Sequence, residues 1–197
     1  MAYTQPANSR TDMPDGTGFG VEFRSKAADP DLFNALQSFV AIRGYSGPGL
    51  MQCMRCAASG RVYFIEVNPR MSAGVAEICA AGVDIPLISA RSAMGIVYPE
   101  IVSVEALNYK VGSLVYWLER DVLALLTHYK SLSAMETLRW LAHMVRTAAA
   151  CDAHINWRWA DPLPSAVIFY RLLRGRAVAW LKALLGPKAA RHPMGTH

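Results

Sequence analysis

The chain has 197 residues, 53% of them hydrophobic, and a formal net charge of +5 from 20 Lys and Arg against 15 Asp and Glu. That length suits one domain or one domain plus an appendage, and the apolar content allows a sizeable core and argues against a disordered chain. No stretch reaches the ~18 uninterrupted apolar residues of a membrane span, and Met1 to Arg10 lacks the apolar core of a secretory leader, so a cytoplasmic setting is expected.

Residues 1–15 are polar and rich in turn formers, and are expected to be loose apart from a short edge strand at Ala2-Tyr3-Thr4. In Gly16-Thr17-Gly18-Phe19-Gly20, glycines at alternate positions would let a backbone approach phosphate. No helix follows them, so the segment reads as a loop feeding the alternating strand Val21-Glu22-Phe23-Arg24. Asp29-Pro30-Asp31 opens a helix, with Asp as N-cap and proline in the first turn. Leu32, Phe33, Leu36, Phe39 and Val40 recur at three and four, giving one apolar face that packs on a sheet through about Arg43. Gly44 to Gly49 is a turn.

Leu50 to Cys56 and the run ending at Arg70 read as two strands joined by a loop from Ala57 to Arg61, and Pro69 ends the second because it cannot donate to a ladder. Pairing Gln52 with Glu66 sets Met54 against Phe64 and Cys56 against Val62, closing the hairpin over a five-residue loop. Side chains alternate along a strand, so Glu66, Asn68 and Arg70 share one face, with Gln52 beside Glu66 at a Cβ separation of about 5 Å. A carboxylate and two amide oxygens suit a hard cation that bridges phosphates, and a guanidinium takes two anionic oxygens at once. The competing reading is a polar strand end that meets only water.

The run Gln52, Glu66-Val67-Asn68-Pro69-Arg70, followed by Ala80-Ala81-Gly82-Val83-Asp84-Ile85-Pro86 and Ala93-Met94-Gly95, resembles the C-terminal half of an ATP-grasp domain, over roughly Gly16 to Gly95. The likeness is closest to carbamoyl phosphate synthase large-subunit-like members, which use Gln, Glu and Asn at this spacing. The resemblance implies that Gln52, Glu66 and Asn68 coordinate Mg²⁺ (or Mn²⁺) carrying the ATP phosphates. It implies that Arg70 is the catalytic residue, contacting a phosphate or the acyl phosphate formed on a small carboxylate substrate. The family also needs a strand lysine and a glycine-rich loop upstream, and residues 1–15 hold neither; Lys26 lies in a polar stretch. The expectation is a truncated or split ligase needing a complementary ATP-grasp lobe or a second copy of itself, or else a non-catalytic remnant.

A short helix is expected from Ser72 or Ala73 to Ala81, stopped by Gly82, with Glu77 either approaching the metal site or facing solvent. Another runs from Ile85 to Met94, with Ile88, Ala90 and Ala93 for packing. Tyr109 to Trp117 reads as a strand. Leu118 to Tyr129 and Ala134 to Ala150 read as helices whose apolar faces carry Val122, Leu125 and Leu126, then Leu138, Leu141 and Val145. Cys53, Cys56, Cys79 and Cys151 form no framework, and the Cys53-x-x-Cys56 pair has no partner at zinc spacing, so structural thiols are expected. His192 and His197 fall in a polar tail. Trp157-Arg158-Trp159 precedes a last helix, Ser165 to Leu185, with Arg171, Arg174 and Lys182 on one face and Val167, Ile168, Leu172, Leu173, Trp180 and Leu184 over the rest. From Arg158 onward seven Lys or Arg stand against one acid, Asp161, so this helix docks on protein or lies on an anionic membrane surface. Nucleic acid is not expected, for want of a recognition motif. The expected architecture is α+β: a loose segment 1–15, an ATP-grasp C-terminal lobe 16–107 built as an antiparallel sheet with helices on one side, a mainly helical extension 108–186 and a flexible tail 187–197.

Overall fold

The computed structural model describes residues 4–13, 15–43, 45–71, 74–96, 103–158 and 160–185. The chain is α+β and divides into two compact units, residues 1–155 and 156–197. In the first, strands β1 (Gln5–Thr11), β2 (Gly20–Lys26), β5 (Leu114–Tyr116) and β6 (Ala153–His154) form one sheet in the order β1-β2-β5-β6. The first two pairings are antiparallel and the last is parallel. Strands β3 (Leu50–Arg55) and β4 (Val62–Asn68) form a separate antiparallel hairpin. The expected single antiparallel sheet is therefore two sheets, one of them mixed.

The segment expected to be loose is an edge strand. Residues of β1 register on β2 from Gln5 opposite Lys26 to Thr11 opposite Gly20, with irregularities around Arg10. Polar composition hid it, because one face of an edge strand meets water and needs no apolar alternation. Ala2 and Tyr3 of the proposed edge strand lie outside the described residues, and Thr4 is not in a strand. The glycine-rich segment closes the β1–β2 hairpin. The Asp12 carboxylate accepts from the backbone N–H of Phe19 at 2.8 Å, and Gly18 sits at φ +84°, where a Cβ would strike that carboxylate. The N–H that a phosphate would use is taken by Asp12.

Strand β5 is shorter than the Tyr109 to Trp117 expected. Gly112 turns at φ +87°, and the Ser25 hydroxyl bridges the gap, donating to the Lys110 carbonyl at 2.6 Å and accepting from the Ser113 N–H at 2.9 Å. Leu114, Val115 and Tyr116 are all buried. Side chains alternate, so Ser113 and Val115 face helix α2 (Val75–Ala80), where the Ser113 hydroxyl donates to the Ala80 carbonyl at 3.0 Å. Tyr116 points the other way, to helix α4 (Leu118–His128), where it meets Asp121. Helices thus cover both faces of the sheet, not one. Val21, Phe33, Ala81, Val83, Ala124, Leu125 and Met144 complete the core.

Helix α1 (Pro30–Arg43) begins as its sequence requires, with the Asp29 carboxylate accepting from the N–H groups of Asp31 and Leu32. Phe33 is fully buried while Phe39 at the far end is exposed. Gly82 at φ +94° follows α2, its N–H bonded to the Cys79 carbonyl, and Asp84 caps α3 (Ile85–Ala93) by accepting from Leu87. Ser72 and Ala73, proposed as the start of α2, lie outside the described residues.

Helix α5 (Ala134–Ala150) departs from its periodicity. Leu138, Leu141 and Val145, the expected packing face, are 61%, 44% and 69% exposed, while Met144 and Thr147 are buried. Polar chemistry decides the rotation: Trp140 and His143 on the other face are bonded to carboxylates of α4 and β2. In the second unit, α6 (Leu163–Leu185) opens where Ser165, buried, donates to the Asn156 carbonyl. Val167, Ile168 and Leu173 are exposed on it; the side chains of Trp180, Lys182 and Leu184, and the tail with His192 and His197, lie outside the described residues. No described helix is long and apolar enough to cross a membrane.

Candidate functional site

The β3–β4 hairpin places the predicted site residues as follows. Gln52 pairs with Glu66, in the expected register. A bulge follows immediately, so Cys53 faces Phe64 and Met54 faces Tyr63, one residue off the pairing expected nearer the loop. Ile65 is the extra residue, and inserting it leaves Glu66 and Asn68 on one face. Their side chains touch, the Asn68 amide donating to Glu66 Oε1 at 2.7 Å. Arg70 does not join them through any hydrogen bond: its N–H closes a turn on the Asn68 carbonyl, and its guanidinium donates to the Met71 carbonyl at 3.2 Å.

The donor set is open. Gln52, Glu66 and Arg70 are exposed and Asn68 is half-buried. Among the described residues no group of three His, Cys, Asp or Glu side chains could hold a metal by itself. One carboxylate with amide oxygens nevertheless fits Mg²⁺ in its usual setting, where one or two carboxylates share the ion with water and substrate phosphates. With Asn68 donating through its nitrogen, its carbonyl oxygen and Glu66 Oε2 remain as acceptors for such an ion.

Around this edge the hairpin is apolar and uncovered. Met54, Tyr63, Phe64 and Ile65 are between 51% and 63% exposed, on both faces of the two strands. An ion pair from Arg55 to Asp29 ties the loop end of β3 to the start of α1. Cys53 is exposed with its thiol raised by burial of the sulfur, whereas hydrogen bonds from Ser59 hold the Cys56 thiol below its ordinary value.

Glu77 does not face solvent freely. It is half-buried on α2, and desolvation pushes its carboxyl up to about 7.

A second constellation was not anticipated from the sequence. Arg10 of β1 donates through Nε to Glu22 at 2.6 Å and through both terminal nitrogens to Asp121, which is fully buried. Asp121 also accepts from Tyr116 at 2.5 Å and from the Trp140 indole at 2.8 Å. Glu22 bonds His143 Nε2 at 2.5 Å. Burial works against the charge on Arg10, but the bonds to Asp121 and Glu22 outweigh it and hold the guanidinium charged; burial and the bond to Asp121 push the Tyr116 hydroxyl well above its usual range. The network opens on a cleft of about 560 Å³ lined by Arg10, Glu136, Arg139, Trp140, His143 and Arg146 among others. The one sequence signal was Asp121 itself, three residues after Leu118 and four before Leu125, on the apolar face of α4. A charge there is buried, and a buried charge needs a partner.

No protein-family model matches the chain, and no match was found among curated proteins or solved structures.

Proposed function

We propose that the chain is an ATP- and Mg²⁺-dependent, acyl-phosphate-forming ligase module of ATP-grasp type, working with a complementary lobe carried on the same or another polypeptide. The observation that carries the reading is the hairpin register: Gln52 opposite Glu66, with Asn68 bonded to Glu66 at the strand end. In this reading the three side chains hold Mg²⁺ (or Mn²⁺) on the ATP phosphates, and the ion neutralises the migrating phosphoryl group. Arg70 swings from the Met71 carbonyl to the phosphate or the acyl-phosphate oxygens of a small carboxylate substrate. The complementary lobe supplies the lysine and the glycine-rich loop that close over the phosphates. The exposed Met54, Tyr63, Phe64 and Ile65 give such a lobe an apolar surface to cover.

The same exposed surface favours a second reading, in which the chain is a non-catalytic ATP-grasp relative that binds a protein partner, or a membrane surface through the basic face of α6 around Arg171 and Arg174. Calorimetric titration with ATP, with and without Mg²⁺, separates the two. The ligase reading expects saturable Mg²⁺-dependent binding that weakens at least tenfold in Glu66→Ala. Binding unaffected by Glu66→Ala removes the metal assignment, and no binding to the chain together with a lysine-bearing lobe favours the partner-binding reading.

A further inference from the structure

The cleft above the Arg10 network is independent of the hairpin and of the function proposed for it. Helix α5 contributes Glu136, Arg139, Trp140, His143 and Arg146 to its wall, at spacings of three and four that put them along one stripe about 15 Å long. Counted together, Arg10, Arg139 and Arg146 balance Glu22, Asp121 and Glu136; what differs is position. Asp121 is fully buried and the Glu22 side chain is 10% exposed, both behind Arg10 and both bonded to it. Glu136 accepts from the Ser133 N–H at 2.8 Å and from its hydroxyl at 2.7 Å in the capping box at the start of the helix, which holds its carboxyl below the ordinary range. The negative charge is therefore behind the floor or at one end.

At the other end stand His143 and Arg146. His143 is oriented by Glu22 and Thr147. Arg146 is exposed and makes no ion pair among the described residues. Arg146 thus offers the cleft a planar fork of donors that matches phosphate or carboxylate oxygens. Between the charges lies the Trp140 indole, its nitrogen fixed by Asp121 and its ring under Arg10, whose guanidinium carbon is 5.9 Å from the ring centroid. A fixed aromatic face beside a cation suits a flat apolar body. The cleft is open to solvent on one side and has room for a small organic ligand.

From these positions we propose that the cleft binds a small aromatic phosphate ester, its phosphate on Arg146 with Arg139 within reach, and its ring against Trp140. The test is calorimetry of the full chain with phenyl phosphate as probe, in EDTA so that no divalent ion recruits the hairpin carboxylate. Saturable binding is expected, tighter than for inorganic phosphate, absent for phenol, and weakened at least tenfold in Arg146→Gln. Arg146→Lys keeps a point charge but not the fork, and should fall between the two. Arg91→Gln on α3 removes the same charge elsewhere and should bind like the unaltered chain. No saturable binding overturns the site, and so does equal weakening by Arg91→Gln, which would reduce the effect to net charge. Should Arg146→Gln fail to fold by circular dichroism, Arg139→Gln, also exposed, is expected to weaken binding severalfold, and unchanged binding in it overturns the site as well.

Discussion

Asp121 shows how much depends on one side chain. It has no exposed surface, and its two oxygens accept from Arg10, Tyr116 and Trp140, which come from β1, β5 and α5. Removing one partner of such a buried pair leaves the other charge uncompensated, which costs about 3–5 kcal/mol. Arg10→Met and Asp121→Leu should each lower the unfolding free energy by that order, and the double change should cost less than the sum of the single changes. A double-mutant cycle in urea checks this. Glu77 makes a prediction with a sign. Its carboxyl is raised from 4.5 to about 7 in the folded chain, so between those pH values the folded state holds a proton that the unfolded state has released. Its contribution to stability is therefore intact below about pH 4.5 and is lost as pH rises through about 7, a total change of up to about 3 kcal/mol. Glu77→Gln should remove this slope and stabilise the chain at pH 8, as read from melts at pH 5 and pH 8.

At the scale of elements, helix existence was legible and helix rotation was not. The expected bounds Ala134 to Ala150 are those of the helix, which the structure shows opened by a capping box of Ser133 and Glu136. Ser133→Ala should cost about 1 kcal/mol. Its apolar stripe suggested an inward face of Leu138, Leu141 and Val145, yet the helix turns Trp140 and His143 inward to meet Asp121 and Glu22. Periodicity measures where apolar side chains lie around a helix and is blind to a polar network waiting on the sheet. Leu138→Gln and Val145→Gln should therefore shift stability by no more than about 0.5 kcal/mol, whereas Met144→Ala should cost about 2–4 kcal/mol. Comparison of the three variants in one thermal melt series decides which face is the core. The hairpin behaves in the opposite way: the Gln52–Glu66 pairing was readable because strand alternation and loop length leave few registers, while the bulge beyond it was not.

For the molecule as a whole, the hairpin stands as a sheet of its own, with large apolar side chains on both faces. A two-stranded hairpin is marginal by itself in water and gains stability when a third layer covers it. Such a surface also promotes association, so Tyr63→Thr with Ile65→Thr should lower concentration-dependent light scattering of the chain. The sequence by itself determined the mixed class, most element bounds, the caps at Asp29 and Gly82 and the pairing of Gln52 with Glu66 beside Asn68, because these follow from local conformational preference and from the two-residue repeat of a strand. Only the tertiary structure decided that β1 exists, that helices lie on both faces of the sheet, and that Arg10, Glu22, Asp121, Trp140 and His143 meet at one cleft. Those residues are up to 133 positions apart. What brings them together is the cost of burying a charge without a partner, which no window of sequence contains.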